Sequence, residues 1–387
     1  MENQDSISST LILKLPTEVF FNILKYVDTI SIMFSFRPVC KRFYLISDTY
    51  NQYELDLNSM SIINLKKIFR LISPQNISSI RLNDKSVESI RINLFLSSFN
   101  LNVFTQLRSI TIGKFEQLQN YQFLNDFNIS NLISLRICSH EKCKNVLKFI
   151  SKILTESKIS KLYLIESIYT LTEITWPSCS YMKYLTIHSC SLTEYNFILQ
   201  RLSCLKIMII GKFMIDTCNK STQYSQLISL TIKNCCLSMI DFEYLLSLTP
   251  SLIKLELISN QSNIDSIING YNWQNLIETK LLNLKIFQFF FSYNFQKEND
   301  INDLDLRINE FRTPFWLDEK KWFIICDYVL QQNIIHLYTI PMLTVDLKQH
   351  NYSLIIRFNI SFINLIKGIN QLQVYFHLFI NNLFIFI

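Results

Sequence analysis

Cys138, His140 and Cys143 form the cluster whose residue types and spacing come nearest to a metal site. A structural zinc site takes four Cys or His ligands, usually as two closely spaced pairs. No second pair has a convincing spacing, and the alternative is that Cys179, Cys190 and Cys204 approach one another in the folded chain. The sequence therefore predicts buried or surface thiols at these positions, and neither a metal nor another cofactor.

The side chains that commonly carry out catalysis stand without the neighbours that such chemistry needs. The five histidines lie outside HExxH patterns, and no serine lies in a GxSxG pattern. The glycines stand alone, which argues against a glycine-rich nucleotide loop: Gly113, Gly211, Gly270 and Gly368. We expect the chain not to be an enzyme. The alternative is a triad assembled from residues that are distant in sequence.

The composition sets further bounds on the class of protein. A chain of 387 residues predicts two or three domains. A formal net charge of +6 is mild for this length and does not indicate nucleic-acid binding. Residues 1–10 lack the basic start and apolar core of a signal peptide. We therefore expect the ten cysteines in a reducing compartment, cytoplasmic or nuclear.

The most informative pattern lies in residues 15–50, which predict three short helices. Leu15-Pro16-Thr17-Glu18 suits a helix start, because proline is tolerated in the first turn. Apolar residues then recur at steps of three and four and predict one apolar face: Val19, Phe20, Ile23, Leu24 and Val27. A second helix fits Ser31 to Phe36. A third helix begins near Pro38 and is expected to place Val39, Phe43 and Ile46 on one side, with Lys41 and Arg42 facing outward.

About forty residues bury little core alone, so these helices need a partner or a neighbouring domain. Leu15-Pro16 and Val39-Cys40-Lys41-Arg42, with Ile23-Leu24 between them, resemble an F-box. F-box proteins are adaptors that dock the Skp1 subunit of a cullin-RING ubiquitin ligase. Phe43 stands where the family often has Trp, and the family typically has one residue fewer between the two anchors. The alternative is an ordinary helical hairpin that caps the next domain.

The resemblance implies which residues contact Skp1. Apolar residues at matching positions of the first and third helices are the expected anchors, with one lysine beside them. These positions are Leu15, Pro16, Ile23, Leu24, Val39, Cys40 and Lys41.

The middle of the chain repeats the template L-x-x-L-x-L. Copies centre on nine positions: Ile80, Ile110, Leu135, Leu162, Leu185, Leu205, Leu230, Leu255 and Phe287. Their mean separation is about 26 residues, within the leucine-rich-repeat range. Such repeats place a short strand and a return segment in each unit, which only the next unit can bury. A generic α/β domain with βαβ units is the competing interpretation.

The residues that flank each central position point away from the core, onto the concave face of such a sheet. The predicted target-binding residues on this face are Arg81, Arg136, Lys161, Tyr163, Tyr184, His188, Lys206, Lys233 and Lys254. The charges on this face are six basic and one acidic, Glu256, which predicts a target segment that is acidic or phosphorylated. The alternative is that these side chains only solvate an open sheet.

The C-terminal part predicts a cap and a tail. Residues 311–341 hold Trp316 and Trp322 and resemble a C-terminal segment of F-box proteins of rotifer-like invertebrates. A terminal cap covers the open end of a solenoid, and an aromatic ligand pocket is the alternative. Residues 368–387 hold no charge but several amides, which favours a poorly ordered or docked tail over a membrane anchor.

Together these patterns predict an α/β solenoid: a small three-helix F-box, an irregular leucine-rich-repeat horseshoe and a C-terminal cap. The expected domains are a flexible tail at 1–12, the F-box at 13–55, repeats at 56–300, the cap at 301–345 and a hydrophobic tail at 346–387. The expected function is substrate recognition for a Skp1-cullin-F-box (SCF) ubiquitin ligase. The expected partners are a Skp1-like protein with its cullin complex and an unknown protein substrate, without nucleic acid or membrane. The alternative is a leucine-rich-repeat scaffold outside any ligase, with the F-box-like helices as its N-terminal cap.

Overall fold

The chain divides into two compact units, Met1–Lys183 and Tyr184–Ile387, in a computed structural model. The described residues are 12–84, 90–115, 121–138, 144–165, 171–177, 181–216, 222–234, 237–260, 267, 269–294, 308–329, 334–340, 355–359 and 375–377.

The first unit opens with three short helices packed through aromatic rings. Helix α1 spans Thr17–Leu24, helix α2 spans Thr29–Ser31 and continues as a wider π-helical turn over Ile32–Phe36, and helix α3 spans Lys41–Thr49. The rings of Phe36 and Phe43 stack at 4.2 Å between centroids, and Phe20 meets Phe43 edge-on at 5.3 Å. These rings pack with the buried aliphatic side chains of Leu24, Ile32, Met33 and Ile46 to form the small core of the helical unit.

The predicted apolar faces are divided between core and surface. On α1 only Phe20 and Leu24 are buried, whereas Val19, Ile23 and Val27 are exposed. On α3 the residues that turn inward are Phe43 and Ile46. Val39 precedes this helix and is 64% exposed, so the prediction that it shares their side is wrong. Arg42 was expected to face outward, but it is half-buried and donates a hydrogen bond to the Leu15 carbonyl oxygen.

A parallel sheet of five strands follows in the first unit, with strand order β1-β2-β3-β4-β5. The strands are β1 Tyr53–Asp56, β2 Ile77–Asp84, β3 Ser109–Phe115, β4 Ser134–Cys138 and β5 Lys161–Ile165. The return segments include α4 Ile62–Leu71, α5 Ile90–Ser98 and α6 Lys144–Glu156, and 3₁₀ turns at Pro74–Asn76, Leu101–Val103, Tyr121–Asp126 and Leu171–Glu173. The alternation of short strands with helical returns fits an α/β solenoid-like fold.

The strands of this sheet align in one register through their buried centres. One row of paired residues crosses all five strands at Leu55, Ile80, Ile110, Leu135 and Leu162, and every member is buried. Four of these are predicted template centres. Strand β1 was not predicted, because the sequence analysis assigned residues 13–55 to the helical unit.

The N-terminal helices cover the outer edge of β1. The Thr29 hydroxyl donates to the Glu54 carbonyl oxygen at 2.6 Å, and the Tyr53 hydroxyl donates to the Ser47 carbonyl oxygen at 2.6 Å. The Arg37 guanidinium donates to the Leu71 carbonyl oxygen at 3.2 Å, at the end of α4. An uncovered edge strand presents unpaired backbone groups that invite pairing with another chain. The helices therefore protect the sheet edge as well as packing on one another.

The second unit begins with five more parallel strands in the order β6-β7-β8-β9-β10. These are β6 Tyr184–Ser191, β7 Ile207–Met214, β8 Ser229–Ile232, β9 Lys254–Asn260 and β10 Ile286–Asn294. The helices are α7 Leu192–Arg201, α8 Met239–Ser247 and α9 Gly270–Lys280. Serine caps with reciprocal carboxylate bonds start α7 and α8, at Ser191 and Ser238.

The predicted register of β7 is wrong by three residues. The buried row of the second unit runs through Leu185, Met208, Leu230, Leu255 and Phe287. The template had placed Leu205 at the centre of this strand. Leu205 is buried, but it precedes the strand, where L-x-x-M-x-I continues the pattern. Leu202-Leu205-Ile207 and Leu205-Met208-Ile210 have the same spacing, so the template fits two registers that lie three residues apart.

Four antiparallel strands extend the second sheet beyond β10. Strand β12, Ile334–Ile340, pairs with β10, and the order continues through β11 Phe323–Val329, β13 Ile355–Asn359 and β14 Tyr375–His377. The π-helical turn Phe315–Glu319 precedes them. Residues 295–307 and most of the hydrophobic tail predicted at 346–387 lie outside the described residues.

Trp316 and Trp322 belong to the packed end of the second core. Trp316 is fully buried and lies 5.0 Å from the Phe311 ring and 6.2 Å from the Phe287 ring, between centroids. Trp322 lies 5.7 Å from Phe287. These aromatic rings pack against one another beneath β10. The aromatic ligand pocket that the sequence left as an alternative is therefore occupied by packed side chains.

Candidate functional site

The N-terminal helices expose an unusual share of apolar side chains. Nine of the 23 large apolar residues that are exposed in the described part of the chain lie between residues 12 and 45. We call them the N-terminal apolar set: Ile12, Leu13, Val19, Ile23, Tyr26, Val27, Val39, Tyr44 and Leu45. Val19 and Ile23 lie four residues apart on α1 and share one face, and Tyr26 just beyond is 92% exposed. Exposed apolar side chains concentrated in one segment are typical of protein–protein interaction surfaces.

Arg42 holds the two predicted anchor segments together. Its guanidinium donates to the Leu15 carbonyl oxygen and lies 5.8 Å from the centre of the Phe20 ring. The start of α3 is thereby fixed beside the start of α1. Leu15-Pro16 and Val39-Cys40-Lys41, although more than twenty residues apart in sequence, belong to neighbouring segments.

Six of the seven predicted docking residues keep some exposure, and one does not. Pro16, Lys41, Val39 and Ile23 are exposed, the last at 48%. Leu15 and Cys40 are half-buried. Leu24 is only 2% exposed and packs inside the helical unit, so it supports the surface without being part of it. The 3.6-residue period could not separate Ile23 from Leu24, because both lie near the boundary of the apolar face.

Residues 12–55 match the family model of the F-box domain. The match covers helices α1–α3 and ends within strand β1. It supports an F-box protein, and F-box domains generally bind Skp1 in SCF complexes. No curated protein matches the chain.

A second candidate surface is the open face of the sheet in the first unit. One row of paired residues crosses it at Asp56, Arg81, Thr111, Arg136 and Tyr163. Arg81 pairs with Asp56 at 3.7 Å, which neutralises one of the predicted cations. The Arg136 guanidinium instead lies over the Tyr163 ring, 4.5 Å from the ring centre, in a cation–π contact.

Lys161 lies in the neighbouring row of the same face. That row runs through Glu54, Ser79, Ser109, Ser134 and Lys161. Lys161 is exposed, and the ion pairs of the described residues include neither it nor Arg136. The structure therefore places Arg136, Tyr163 and Lys161 close together on adjacent strands.

The predicted residues of the second unit are more dispersed. Lys254 pairs with Glu256 at 3.1 Å on its own strand, so its charge is offset. Lys206 precedes β7 and Lys233 follows β8, so neither flanks a strand centre as the template had assigned. His188 is exposed and Tyr184 half-buried on β6. Two of the six predicted cations, Arg81 and Lys254, have carboxylate partners. The positive electrostatic potential of this face is therefore weaker than a count of six basic residues and one acidic residue predicts.

A cleft of about 410 Å³ lies where the N-terminal helices meet the first strands. Its charged lining residues are two cations, Lys25 and Arg81, and three carboxylates, Asp28, Glu54 and Asp56. Asp28 accepts hydrogen bonds from the Ser31 hydroxyl and backbone N–H, and these lower the pKa of its carboxyl. The sequence interpretation missed this site because it did not assign β1, which supplies two of the three carboxylates.

The described residues contain no group of three His, Cys, Asp or Glu side chains that could hold a metal ion. His140 and Cys143 of the sequence cluster lie outside the described residues. Cys190 is fully buried, and burial raises the pKa of its thiol well above the usual value, with the carboxylates of Glu194 and Asp216 adding to the effect. Such a thiol is a poor nucleophile. No helix within the described ranges is long and apolar enough to cross a membrane.

Proposed function

We propose that this protein is a substrate-recognition adaptor of an SCF-type ubiquitin ligase. The F-box docks a Skp1-like protein, and the strands that follow act as leucine-rich repeats that capture a protein target. The observation that carries the proposal is the F-box match over residues 12–55, together with the N-terminal apolar set on the same helices.

In this proposal the chain performs no chemistry itself. It holds lysines of the target near a ubiquitin-loaded partner in the cullin complex, which raises their effective concentration there. Fixed geometry between the two binding surfaces favours this role. Hydrogen bonds from Thr29 to the Glu54 carbonyl and from Arg37 to the Leu71 carbonyl attach the F-box helices to the first strand and helix of the repeats. We expect such a complex in the cytoplasm or nucleus.

Co-purification of the full-length chain with Skp1 tests the docking surface. Ile23→Asp places a charge in a face that must lose water on binding, and such central positions typically cost about 2 kcal/mol or more when altered. We expect this variant, and the double variant Leu15→Ala, Pro16→Ala, to lose Skp1. Ile63→Asp is the matched control, because Ile63 is 68% exposed on α4, outside the N-terminal apolar set. Equal recovery of Skp1 by Ile23→Asp and Ile63→Asp would refute the docking surface.

The second candidate function is a protein-recognition scaffold outside any ligase. One observation favours it: the N-terminal helices seal the edge of β1, which is what a terminal cap of a solenoid does. The two functions differ in one readout. A folded wild-type chain that recovers no Skp1, while still binding a protein client, would establish the scaffold role.

A further inference from the structure

The open face of the first sheet carries its charges at opposite ends. The end next to the F-box holds Glu54 and Asp56 on β1, beside the cleft. The far end holds Arg136 on β4 and Lys161 on β5. Arg81, the cation between them, is paired with Asp56 at 3.7 Å. Among the described side chains of this face, the remaining positive charge therefore lies at one end, on Arg136 and Lys161, and the remaining negative charge at the other, on Glu54.

Small hydroxyl side chains form the floor between the two ends. Ser79, Ser109 and Ser134 are direct neighbours on β2, β3 and β4, and all three are half-buried. Thr111 lies beside them in the next row. Serine and threonine hydroxyls both donate and accept hydrogen bonds. A floor of this kind leaves room for an extended backbone and satisfies its polar groups, whereas large side chains would fill the space.

Arg136 is preorganised for an anion. Its guanidinium lies over the Tyr163 ring, 4.5 Å from the ring centre, and this cation–π contact restrains the side chain. Lys161 lies one row away and adds a second positive charge. A fixed guanidinium fork with a flexible ammonium beside it suits the doubly charged phosphate of a phosphorylated side chain.

We propose that this face binds an extended client peptide that carries a phosphorylated side chain at Arg136 and Lys161 and a basic side chain at Glu54. The proposal rests on the proposed function, since it names the substrate class of that recognition surface. Three strand steps separate Glu54 from Arg136, which is about 14 Å at the usual strand spacing, or about four residues of extended peptide. The sequence that binds is therefore a phosphoserine or phosphothreonine with an Arg or Lys about four positions away.

Degenerate peptide libraries presented to the full-length protein, bound to Skp1, test this directly. One library fixes phosphoserine with Arg four residues to either side, a second replaces phosphoserine by serine, and a third replaces Arg by Glu. Fluorescence anisotropy should show at least about tenfold tighter binding of the first library than of either other one, because each loses one charge pair in a partly desolvated face. Equal binding of the first two libraries would overturn the phosphate site, and equal binding of the first and third would overturn the basic preference at Glu54.

Charge-reversal variants locate the binding. Arg136→Glu with Lys161→Glu should abolish binding of the phosphorylated library. Lys66→Glu with Lys67→Glu makes the same change in net charge on exposed residues of α4 and should leave that binding unchanged. Both double variants should still recover Skp1, so a failure of this inference is distinct from a failure of the ligase role. Equal losses in the two double variants would show that the library responds only to overall charge, and the inference would fall.

Discussion

Neighbouring residues of the F-box carry different tasks. Ile23 is 48% exposed and belongs to the N-terminal apolar set, whereas Leu24, one position later, is 2% exposed and holds the helices together. Arg42 also differs from what its residue type predicts. We expected a cation that faces the solvent, but Arg42 is half-buried and donates a hydrogen bond to the Leu15 carbonyl oxygen. Residue type alone does not assign these tasks, because they depend on a rotation of α1 that only its packing partners fix.

Asp28 provides a prediction at the residue scale. Its carboxylate caps α2 by accepting bonds from the Ser31 hydroxyl at 2.6 Å and backbone N–H at 2.9 Å, which lowers its pKa in the folded state. The stabilisation is therefore present above the unfolded-state pKa and is lost as the pH falls through the folded-state value. Asp28→Asn keeps an oxygen acceptor without the charge. We expect it to cost about 0.5 kcal/mol near neutral pH, with the difference vanishing at acid pH.

Urea denaturation of wild type and Asp28→Asn at about pH 7 and about pH 3 measures this difference in the free energy of unfolding. Asp28→Ala serves as the control, because it removes the acceptor and should destabilise α2 at both pH values. A difference between wild type and Asp28→Asn that stays constant with pH would show that the charge of the cap contributes nothing.

At the scale of elements, the sequence predicted the repeated parallel strands well, but it did not predict strand β1 or the antiparallel strands after β10. Eight of the nine template centres lie in the two buried rows, because the alternation of apolar residues is imposed by the core itself. Strand β1 was missed, since it follows the helical unit directly and has only one template position. The antiparallel return of β12 onto β10 was also missed, because pairing direction is a property of the connection and not of the strand.

The corrected register of β7 gives a prediction at this scale. Met208 is fully buried in the row between Leu185 and Leu230, and Lys206 is exposed before the strand. Met208→Asp places an unpaired charge in the core, so we expect a loss of about 3 kcal/mol or more in stability and rapid proteolysis of the second unit. Lys206→Asp should resist protease as wild type does. Protease resistance of Met208→Asp equal to that of wild type would contradict the register centred on Met208.

At the scale of the whole molecule, the N-terminal apolar set is a liability until a partner covers it. Exposed apolar residues concentrated on one short segment favour self-association. We expect the full-length chain alone to associate with increasing concentration in size-exclusion chromatography, and to elute as a single species with Skp1. Ile23→Asp should reduce the association and also lose Skp1, whereas Ile63→Asp should change neither. Association that persists undiminished in Ile23→Asp would place the adhesive surface elsewhere.

The bond from Thr29 to the Glu54 carbonyl ties the F-box helices to the strand that follows them. A deletion that removes these helices would uncover β1 and leave an unpaired strand edge at the start of the parallel sheet. Truncated forms intended as substrate traps would then report aggregation rather than client capture, so point variants on the surface of α1 are the proper loss-of-docking reagents. The same bond constrains domain shuffling: a recombination event at the F-box border would succeed only where the incoming segment brought its own edge cover.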